Sequence, residues 1–345
     1  EGPFQILTGA FYQKEKRTFR SAILSAGTDG NIEADPFAFL DREVDTDVEE
    51  IAFFGEASVD ITDRLTATGG LRYYDFDISE VSNAITAFGG GPGAGIGAVQ
   101  SSSDNGFIFK GNISYALTSD INAYVQVAEG FRSGGTNDQT AAAIANVTIP
   151  AGFSPDSLIN YEVGLKSQWA DGRVTTNVAA YMIDWSDIQI QDQATDGQLT
   201  FPFRGNGGGA KVTGIEIEIS AQPVEGLSLD ATANFANARL TEDNPIPSTG
   251  LDGDDIPYVP STTLSFSAQY EWALANGLMA DIGGDFSYIS SRNTELRPNN
   301  PLFVELKSYS LLNLRAGISG DSWRAGLVVN NVTNNDEVVD IFRII

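Results

Sequence analysis

The sequence predicts an all-β protein whose antiparallel strands follow one another up and down. Ile215, Ile217 and Ile219 alternate with polar residues, and a second alternation runs over residues 227–235 after a turn at residues 223–226. Because successive side chains of a strand point to opposite faces, these two runs predict a hairpin with one apolar and one polar face. The same period recurs along the chain, which indicates one extended sheet.

About fourteen such strands are predicted from the alternation and the turn residues. They cover residues 3–20, 47–60, 64–80, 105–117, 121–132, 157–169, 173–192, 210–222, 227–240, 259–273, 278–291, 306–319, 322–332 and 337–345. The connections alternate between tight turns and long loops, the long ones at residues 21–46, 81–104, 133–156, 193–209, 241–258 and 293–305. An up-and-down sheet of this kind has its tight turns at one rim and its long loops at the other.

Two arrangements use a sheet with one apolar face. A soluble sandwich turns its apolar faces inward, whereas a membrane barrel turns them outward to lipid. Trp169, Trp272 and Trp323 adjoin tight turns and are in phase with the apolar faces of their strands. Indole side chains prefer the boundary between hydrocarbon and headgroups. We therefore predict a transmembrane β-barrel in which these tryptophans form a lipid-interface girdle, and the sandwich is the alternative.

Composition excludes several functions. The 345 residues include no cysteine and no histidine, which removes disulfides, thiolate metal sites and the commonest general base. The net charge is -26, from 46 acidic and 20 basic residues, and nucleic acids require a basic surface. We expect no enzyme activity, no cofactor and no nucleic-acid partner.

Five segments together carry a family resemblance. They are VAEGFRSGGTN from Val127, NYEVGLKSQWADGRVTTNVAAYMIDWSDIQIQ from Asn160, GNGGGAKVTGIEIEI from Gly205, PYVPSTTLSFSAQY from Pro257 and LLNLRAGISGDSWRAGLVVNNVTNN from Leu311. In this order they resemble the barrel half of TonB-dependent outer-membrane receptors. The resemblance implies uptake of a ligand across the outer membrane of a Gram-negative cell, driven by the inner-membrane TonB energy-coupling complex.

The resemblance also implies that residues 1–345 are part of a barrel domain. Receptors of this family have about 22 strands and begin with a plug domain that carries a coupling motif. We expect no plug domain in this chain, and roughly eight strands of the barrel to be missing from it. The closing segment NNDEVVDIFRII does not match the expected final strand, which would end in an aromatic residue.

Candidate ligand-binding residues lie where predicted strands meet long loops. Phe131 and Arg132 belong to the GFRSGG segment, and Arg204 lies in the connection at residues 193–209. For GFRSGG the sequence favours a structural exit from strand to loop over ligand contact. In LDGDDIP, Asp252, Asp254 and Asp255 offer oxygen ligands for calcium, but the EF-hand spacing is absent, so a solvated loop is favoured.

The acidic excess is concentrated at residues 29–50, where nine carboxylates accompany Arg42 as the one basic residue. Such a density of charge requires water or divalent cations. We expect an extracellular segment there. Divalent cations could bridge it to the phosphates of lipopolysaccharide in the outer-membrane lipid, although a solvated loop without a partner is favoured.

The predicted function is import of a scarce small-molecule ligand, foremost a ferric siderophore or similar iron chelate. One alternative is a passive outer-membrane diffusion channel of about fourteen strands. The other is a soluble sandwich that binds carbohydrate or acts in adhesion. We expect the chain to lie in the outer membrane.

Overall fold

One antiparallel sheet of 14 strands makes up most of the molecule. The computed structural model describes residues 3–29, 31–32, 37–86, 92–195, 200–244, 250–300 and 303–340. The strands of the sheet are β1 (Phe4–Leu24), β2 (Ala38–Thr62), β3 (Leu65–Thr86), β4 (Pro92–Ile96), β5 (Gln100–Ala116), β6 (Ile121–Arg132), β9 (Asp156–Trp169), β10 (Val174–Ser186), β13 (Ala210–Ala221), β14 (Leu227–Leu240), β15 (Thr262–Ala273), β16 (Met279–Ile289), β19 (Tyr309–Gly320) and β20 (Trp323–Val329).

The long connections contain the remaining elements. They are the pairs β7 (Gly135–Thr136) with β8 (Gly152–Phe153), β11 (Gln189–Thr195) with β12 (Thr200–Asn206) and β17 (Arg292–Asn293) with β18 (Glu305–Leu306), the helix α1 (Gln139–Ile144) and a 3-10 turn (Ala275–Gly277). The described residues contain no helix long and apolar enough to span a membrane.

The strands pair in the order in which they follow in the chain. The sheet runs β1-β2-β3-β5-β6-β9-β10-β13-β14-β15-β16-β19-β20, with β4 added beside β3, and each pair is antiparallel. The all-β, up-and-down prediction is therefore confirmed. Thirteen of the predicted strands correspond to the thirteen of this path. In the described residues β1 and β20 do not pair with each other, so the sheet is not closed into a barrel.

Several sequence predictions about element boundaries are wrong. Strand β2 begins at Ala38, whereas the sequence predicted a loop as far as residue 46. The predicted loop at residues 81–104 includes the end of β3, all of β4 and the start of β5. Residues 337–340 form no strand, and the rest of the predicted final strand, residues 341–345, lies outside the described residues. The first error arises because charged residues do not interrupt a strand that has charged neighbours with which to pair.

Ion pairs explain how the acidic segment can be a strand. The cations come from the strands on either side of β2, and Asp41 pairs with Arg20 of β1 at 2.7 Å. The other pairs are Glu49–Lys14 at 3.0 Å, Asp47–Lys16 at 3.1 Å and Glu50–Arg72 at 2.6 Å. Glu33 and Asp35 lie outside the described residues. The part of the segment within β2 is therefore neutralised in part by the protein itself, which the sequence prediction missed.

The apolar face of the sheet is exposed. Phe53, Tyr73 and Phe107 lie side by side across β2, β3 and β5. Phe53 and Phe107 are 56% and 62% exposed, and Val163, on the same face of β9, is 54% exposed. A sandwich would cover such residues with a second sheet. Their exposure favours a face that contacts lipid.

The polar face carries hydrogen bonds that run across the strands. Tyr124 Oη donates to Glu162 Oε1 at 2.6 Å, and Tyr181 Oη donates to Asn234 Oδ1 at 3.1 Å. In the register of β13 and β14, Glu218 lies opposite Thr232. Partners in an antiparallel pair point to the same face, so the two faces remain distinct from strand to strand.

All three girdle tryptophans lie at the tight-turn rim. Trp169 ends β9, Trp323 begins β20, and Trp272 is the penultimate residue of β15. Trp169 and Trp323 are about half exposed, and the ring of Trp272 stacks on Tyr270 with centroids 5.3 Å apart. These positions are those that an interfacial girdle requires. Contact with lipid stays a prediction.

The two faces of β14 predict different tolerance of charge. Leu229→Arg places a charge on the apolar face between the tight-turn rim and the midplane, and we expect it to reduce the free energy of unfolding of the full-length receptor in phospholipid vesicles by about 1 to 2 kcal/mol. Thr232→Arg is the matched control, because its new guanidinium lies beside Glu218 on the polar face. Urea titration of both variants measures the difference. Equal stability of the two variants would contradict the assignment of the faces.

Candidate functional site at the long-loop rim

The long connections lie at the rim opposite the tryptophans. They follow β1, β3, β6, β10, β14 and β16, and β4, β7, β8, β11, β12, β17, β18 and α1 all belong to them. Loops that contain paired strands and a helix form a folded layer, and binding residues in barrels concentrate in such layers. The contacts between this layer and the sheet therefore position any binding residues within it.

Asp156 joins two strands to the β11–β12 hairpin. Its side chain is 1% exposed and forms an ion pair with the guanidinium of Arg132, whose Nε lies 2.9 Å from Asp156 Oδ2. The backbone amide of Gln189 donates to the same oxygen at 3.0 Å, and Gln189 Nε2 donates to the carbonyl of Ser133 at 2.9 Å. The guanidinium of Arg132 also lies over the ring of Trp185, 4.6 Å from its centroid. Arg132 therefore positions the loops.

Asp138 connects the loop layer to β2 and β3. Its Oδ1 accepts from the amide of Ala141 at 2.9 Å and so caps α1. Its Oδ2 accepts from Arg42 Nη1 and from Ser82 Oγ, each at 2.8 Å. One carboxylate thus holds a helix end and two strands together.

A small apolar core lies between two of the long connections. Phe201 and Phe203 alternate in β12 and share one face of the hairpin, which packs against Ala141, Ala142, Ala145 and Ile149. Asn137 joins the same connections, because its side chain donates to the Arg204 carbonyl and accepts from the Arg204 amide, both at 2.8 Å. The Arg204 guanidinium lies 5.9 Å from the centroid of Phe153.

Glu80 shares this region with Asp138 and lies outside the membrane-spanning part of β3. It is fifteen residues beyond Leu65, the first residue of β3, which is roughly 35 Å from the tight-turn rim on a tilted strand, and the apolar band is about 25 Å tall. Burial raises the pKa of Glu80, the charge of Asp138 raises it further, and Arg42 acts in the opposite direction. Two carboxylates thus compete for one guanidinium.

A cavity of about 430 Å³ opens between β11 and the connections at residues 256–258 and 294–300. The register places Trp185, Ala210 and Leu240 in one row on the polar side of the sheet. Leu240 and Ile188 are buried beneath the cavity, and Ile256 and Leu296 pack against them. A space of this size is suited to a small-molecule ligand. A hollow of about 630 Å³ at the opposite rim is lined mainly by residues of the 222–228 turn region and lacks such a floor.

Gln191, Gln193, Tyr258 and Arg297 form the walls of the cavity, together with Trp185. Amide, phenol, indole and guanidinium groups of this kind orient an organic ligand by hydrogen bonds and ring contacts. We take this loop-rim cavity as the candidate functional site.

Phe131 lies outside the cavity lining, in an aromatic cluster. Its ring stacks on Tyr74 with centroids 3.8 Å apart, and Phe76 is 6.3 Å away. Tyr74 and Phe76 are buried, and Tyr74 Oη donates to Asp104 Oδ2 at 3.3 Å. The contacts of Phe131 and Arg132 are those of a structural strand exit. Ligand contact by these residues and by Arg204 stays a prediction.

The three aspartates of the predicted metal site contact their own loop and two arginines from neighbouring segments. Asp254 Oδ2 accepts from the Leu251 amide at 2.9 Å and lies 3.7 Å from Arg297 Nε. Asp255 pairs with Arg239 at 3.4 Å, and the Asp252 amide donates to Asp243. Within the described ranges, no three carboxylate, histidine or cysteine side chains are grouped as a metal site. Metal binding by these aspartates stays a prediction, and the contacts instead favour the loop interpretation.

Sequence reasoning missed most residues that build the site. Asp138, Asp156 and Trp185 make the contacts that hold the loops to the sheet, and a single Asp or Trp at a strand end or in a loop gives no periodic signal. Tyr74 and Phe76 could have been found, because LRYYDFDIS places both aromatic residues in the polar phase of β3. That break in the alternation marks the aromatic cluster that they form with Phe131 of β6.

Comparison with known proteins identifies the family. The family model described as TonB dependent receptor-like, beta-barrel matches residues 3–332. The chain belongs to this family of TonB-dependent receptors. The resemblance carried by the five sequence segments is thereby confirmed.

Individual relatives are distant and longer. The pesticin receptor of Yersinia pestis is 26% identical over 215 residues, which are 62% of this chain and 29% of that protein. The metal-pseudopaline receptor CntO of Pseudomonas aeruginosa is 23% identical over 221 residues, or 64% of this chain and 28% of that protein. The chain therefore matches less than a third of either curated relative.

Solved structures give the same fold. The ferric yersiniabactin uptake receptor FyuA from Yersinia pestis superposes with a TM-score of 0.73 at 21% identity, and the match covers 98% of this chain and 47% of that one. The chain thus spans about half the length of that receptor.

Removal of the Asp156 carboxylate tests whether its bonds to Arg132 and Gln189 hold the β11–β12 hairpin to the sheet. We expect Asp156→Asn to destabilise the β11–β12 hairpin by about 2 to 3 kcal/mol, below the cost of breaking a fully buried pair because Arg132 is half exposed and can turn to water. Amide hydrogen exchange at residues 189–193 measures the loss. Glu49→Gln, which breaks the exposed pair with Lys14, is the control and should leave that exchange unchanged. Equal effects of the two substitutions would contradict the anchoring role.

The raised pKa of Glu80 predicts a pH dependence of the loop layer. A carboxyl group with a higher pKa in the folded state than in the unfolded state destabilises the fold when ionised. The stability of the loop layer should therefore rise as the pH falls through the folded-state pKa of Glu80 towards the ordinary pKa of a glutamate side chain. Glu80→Gln should protect the α1 amides at pH 7.5 and remove the pH dependence, whereas Glu225→Gln, at the opposite rim, should do neither. Greater exchange of α1 in Glu80→Gln would contradict this prediction.

Proposed function

We propose that this chain forms part of the barrel wall of an outer-membrane receptor that imports a metal chelate, foremost a ferric siderophore. The observation that carries the proposal is the loop-rim cavity, which presents hydrogen-bonding and aromatic groups over an apolar floor at the rim of a TonB-dependent receptor sheet. The names of the relatives support it, since they include a metal-pseudopaline receptor and a ferric yersiniabactin uptake receptor.

The proposal places the long-loop rim outside the cell. The apolar face then contacts outer-membrane lipid, and the tight turns face the periplasm, as in outer-membrane barrels generally. The acidic outer part of β2 would lie beside the phosphates of lipopolysaccharide, and divalent cations would bridge the two. Glu43 and Asp45 are the carboxylates of β2 proposed for such a bridge, and Asp45 Oδ1 also accepts a hydrogen bond from Thr18 Oγ1 of β1 at 2.6 Å.

Energy for uptake would come from the TonB complex of the inner membrane. The family resemblance assigns that contact to an N-terminal segment of the receptor, so residues 3–332 would supply the wall and the ligand-facing loops. The chain itself would perform no chemistry on the ligand. A passive channel is not favoured, because the family match is to receptors along almost the whole chain.

Uptake measured in two strains tests this function. The full-length gene is expressed in cells with and without the TonB complex, and accumulation of radioactive iron is followed with tris(maltolato)iron(III) and a panel of ferric siderophores. We expect accumulation of at least one chelate that falls to background without the complex. An empty vector and a full-length receptor with its coupling motif deleted are the controls. Undiminished uptake in the deficient strain would support the passive channel instead.

A further inference from the structure

Tyr258 has an unusual backbone conformation at the mouth of the loop-rim cavity. Its φ is 62°, a region that bulky residues rarely adopt, and its amide donates to the Asn293 carbonyl at 2.8 Å. The residue is nevertheless 44% exposed. Conformations of this kind persist where the surrounding structure enforces them, and they concentrate at ligand sites. Tyr258 is therefore held at the cavity at a conformational cost that an exposed loop residue would not otherwise bear.

The cavity favours a ligand with a flat apolar part. Leu240 and Ile188 are 2% and 4% exposed beneath it, and Ile256 and Leu296 complete an apolar floor. Tyr258 stands at the side of this floor, and Gln191 and Gln193 alternate along β11 with their amide groups on one face. A ring can thus lie between the floor and the phenol while its oxygen atoms bond to the amides.

The cavity carries no excess of positive charge. Its arginines are Arg132 and Arg297 and its carboxylates are Asp192 and Glu295. Arg132 is already held by Asp156, and Arg297 lies 3.7 Å from Asp254. Among the described lining residues, each guanidinium thus has a carboxylate beside it. A polyanion entering the cavity would meet no uncompensated cation, and the net charge of -26 on the chain would oppose its approach.

From these observations we propose that the loop-rim cavity is a specificity subsite for chelates that present a planar ring and carry little or no net negative charge. The proposal rests on the proposed function and adds the chemical class of the ligand. The metal would enter already coordinated, and the protein would recognise the organic part of the chelate. Tyr258 is the residue that selects for the ring.

Three iron(III) chelates distinguish the effect of a planar ring on binding from the effect of net charge. Tris(maltolato)iron(III) is neutral and has planar rings, tris(acetohydroxamato)iron(III) is neutral and has none, and tris(catecholato)iron(III) has rings and a threefold negative charge. Equilibrium dialysis of the full-length receptor in detergent at pH 8 gives the dissociation constant of each. We expect the maltolate complex to bind at least about tenfold more tightly than either of the others.

Substitution of Tyr258 tests the residue without risk to the fold. Tyr258→Gly removes the ring and suits a φ of 62°, because glycine adopts such values without a steric cost. It should weaken binding of the maltolate complex about tenfold and leave the acetohydroxamate complex unaffected. Tyr258→Phe keeps the ring and should bind the maltolate complex more tightly than Tyr258→Gly does. Asn334→Gly relieves a similar φ of 50° away from the cavity and is the matched control.

Each outcome bears on the proposal. Preferential binding of the maltolate complex, lost in Tyr258→Gly alone among the three variants, supports it. Equal binding of all three chelates, preference for the catecholate complex, an unchanged Tyr258→Gly or the absence of binding by any probe overturns it. These results are independent of the uptake experiment, because energy-dependent uptake with an unchanged Tyr258→Gly would leave the receptor function standing and reject only the subsite.

Discussion

Backbone hydrogen bonding between successive strands is the constraint on which the rest of this structure depends. An unpaired peptide group costs several kcal/mol in hydrocarbon, so a wall that lies in lipid must pair each strand with its neighbour. The continuous registers of β10, β13 and β14 satisfy that requirement. Once the strands are paired, the period of two assigns alternate residues to lipid and to the interior. The apolar and polar faces follow from the pairing.

The loop layer obeys a different rule. Side chains on the polar side of the sheet can be apolar where a long connection covers them, as Trp185 and Leu240 are beneath Ile256 and Leu296. Buried carboxylates then tie the loops to the sheet, because Asp138 and Asp156 each bond to groups from several segments. The cavity lies above the apolar part of this layer. Its position is therefore a consequence of where the alternation of the strands is broken.

The sequence is sufficient to predict the strands of the sheet and insufficient to predict the contacts at the long-loop rim. Strands β13 and β14 were predicted within a residue or two, since alternation and the 223–226 turn are local signals. The start of β2 was missed, because a run of acidic residues is typical of a solvated loop. Only the structure shows that Lys14, Lys16 and Arg20 of β1 lie beside these residues and pair with them. The cavity was missed for the same reason. Its residues come from three connections far apart in sequence, and only the fold brings Trp185, Gln191 and Tyr258 together.

Spin labels along one strand test the central claim, that alternate residues of this sheet face lipid. The chain has no cysteine, so single cysteines can be introduced at positions 227–235 of the full-length receptor in vesicles, after replacement of any cysteine elsewhere in that receptor. Collision rates with oxygen, which concentrates in hydrocarbon, are then measured by electron paramagnetic resonance. If one face of β14 lies in lipid, the rates are high at Leu227, Leu229, Ala231, Ala233 and Phe235 and low at the residues between them. Uniform rates, or high rates at Ser228, Asp230, Thr232 and Asn234, would contradict it.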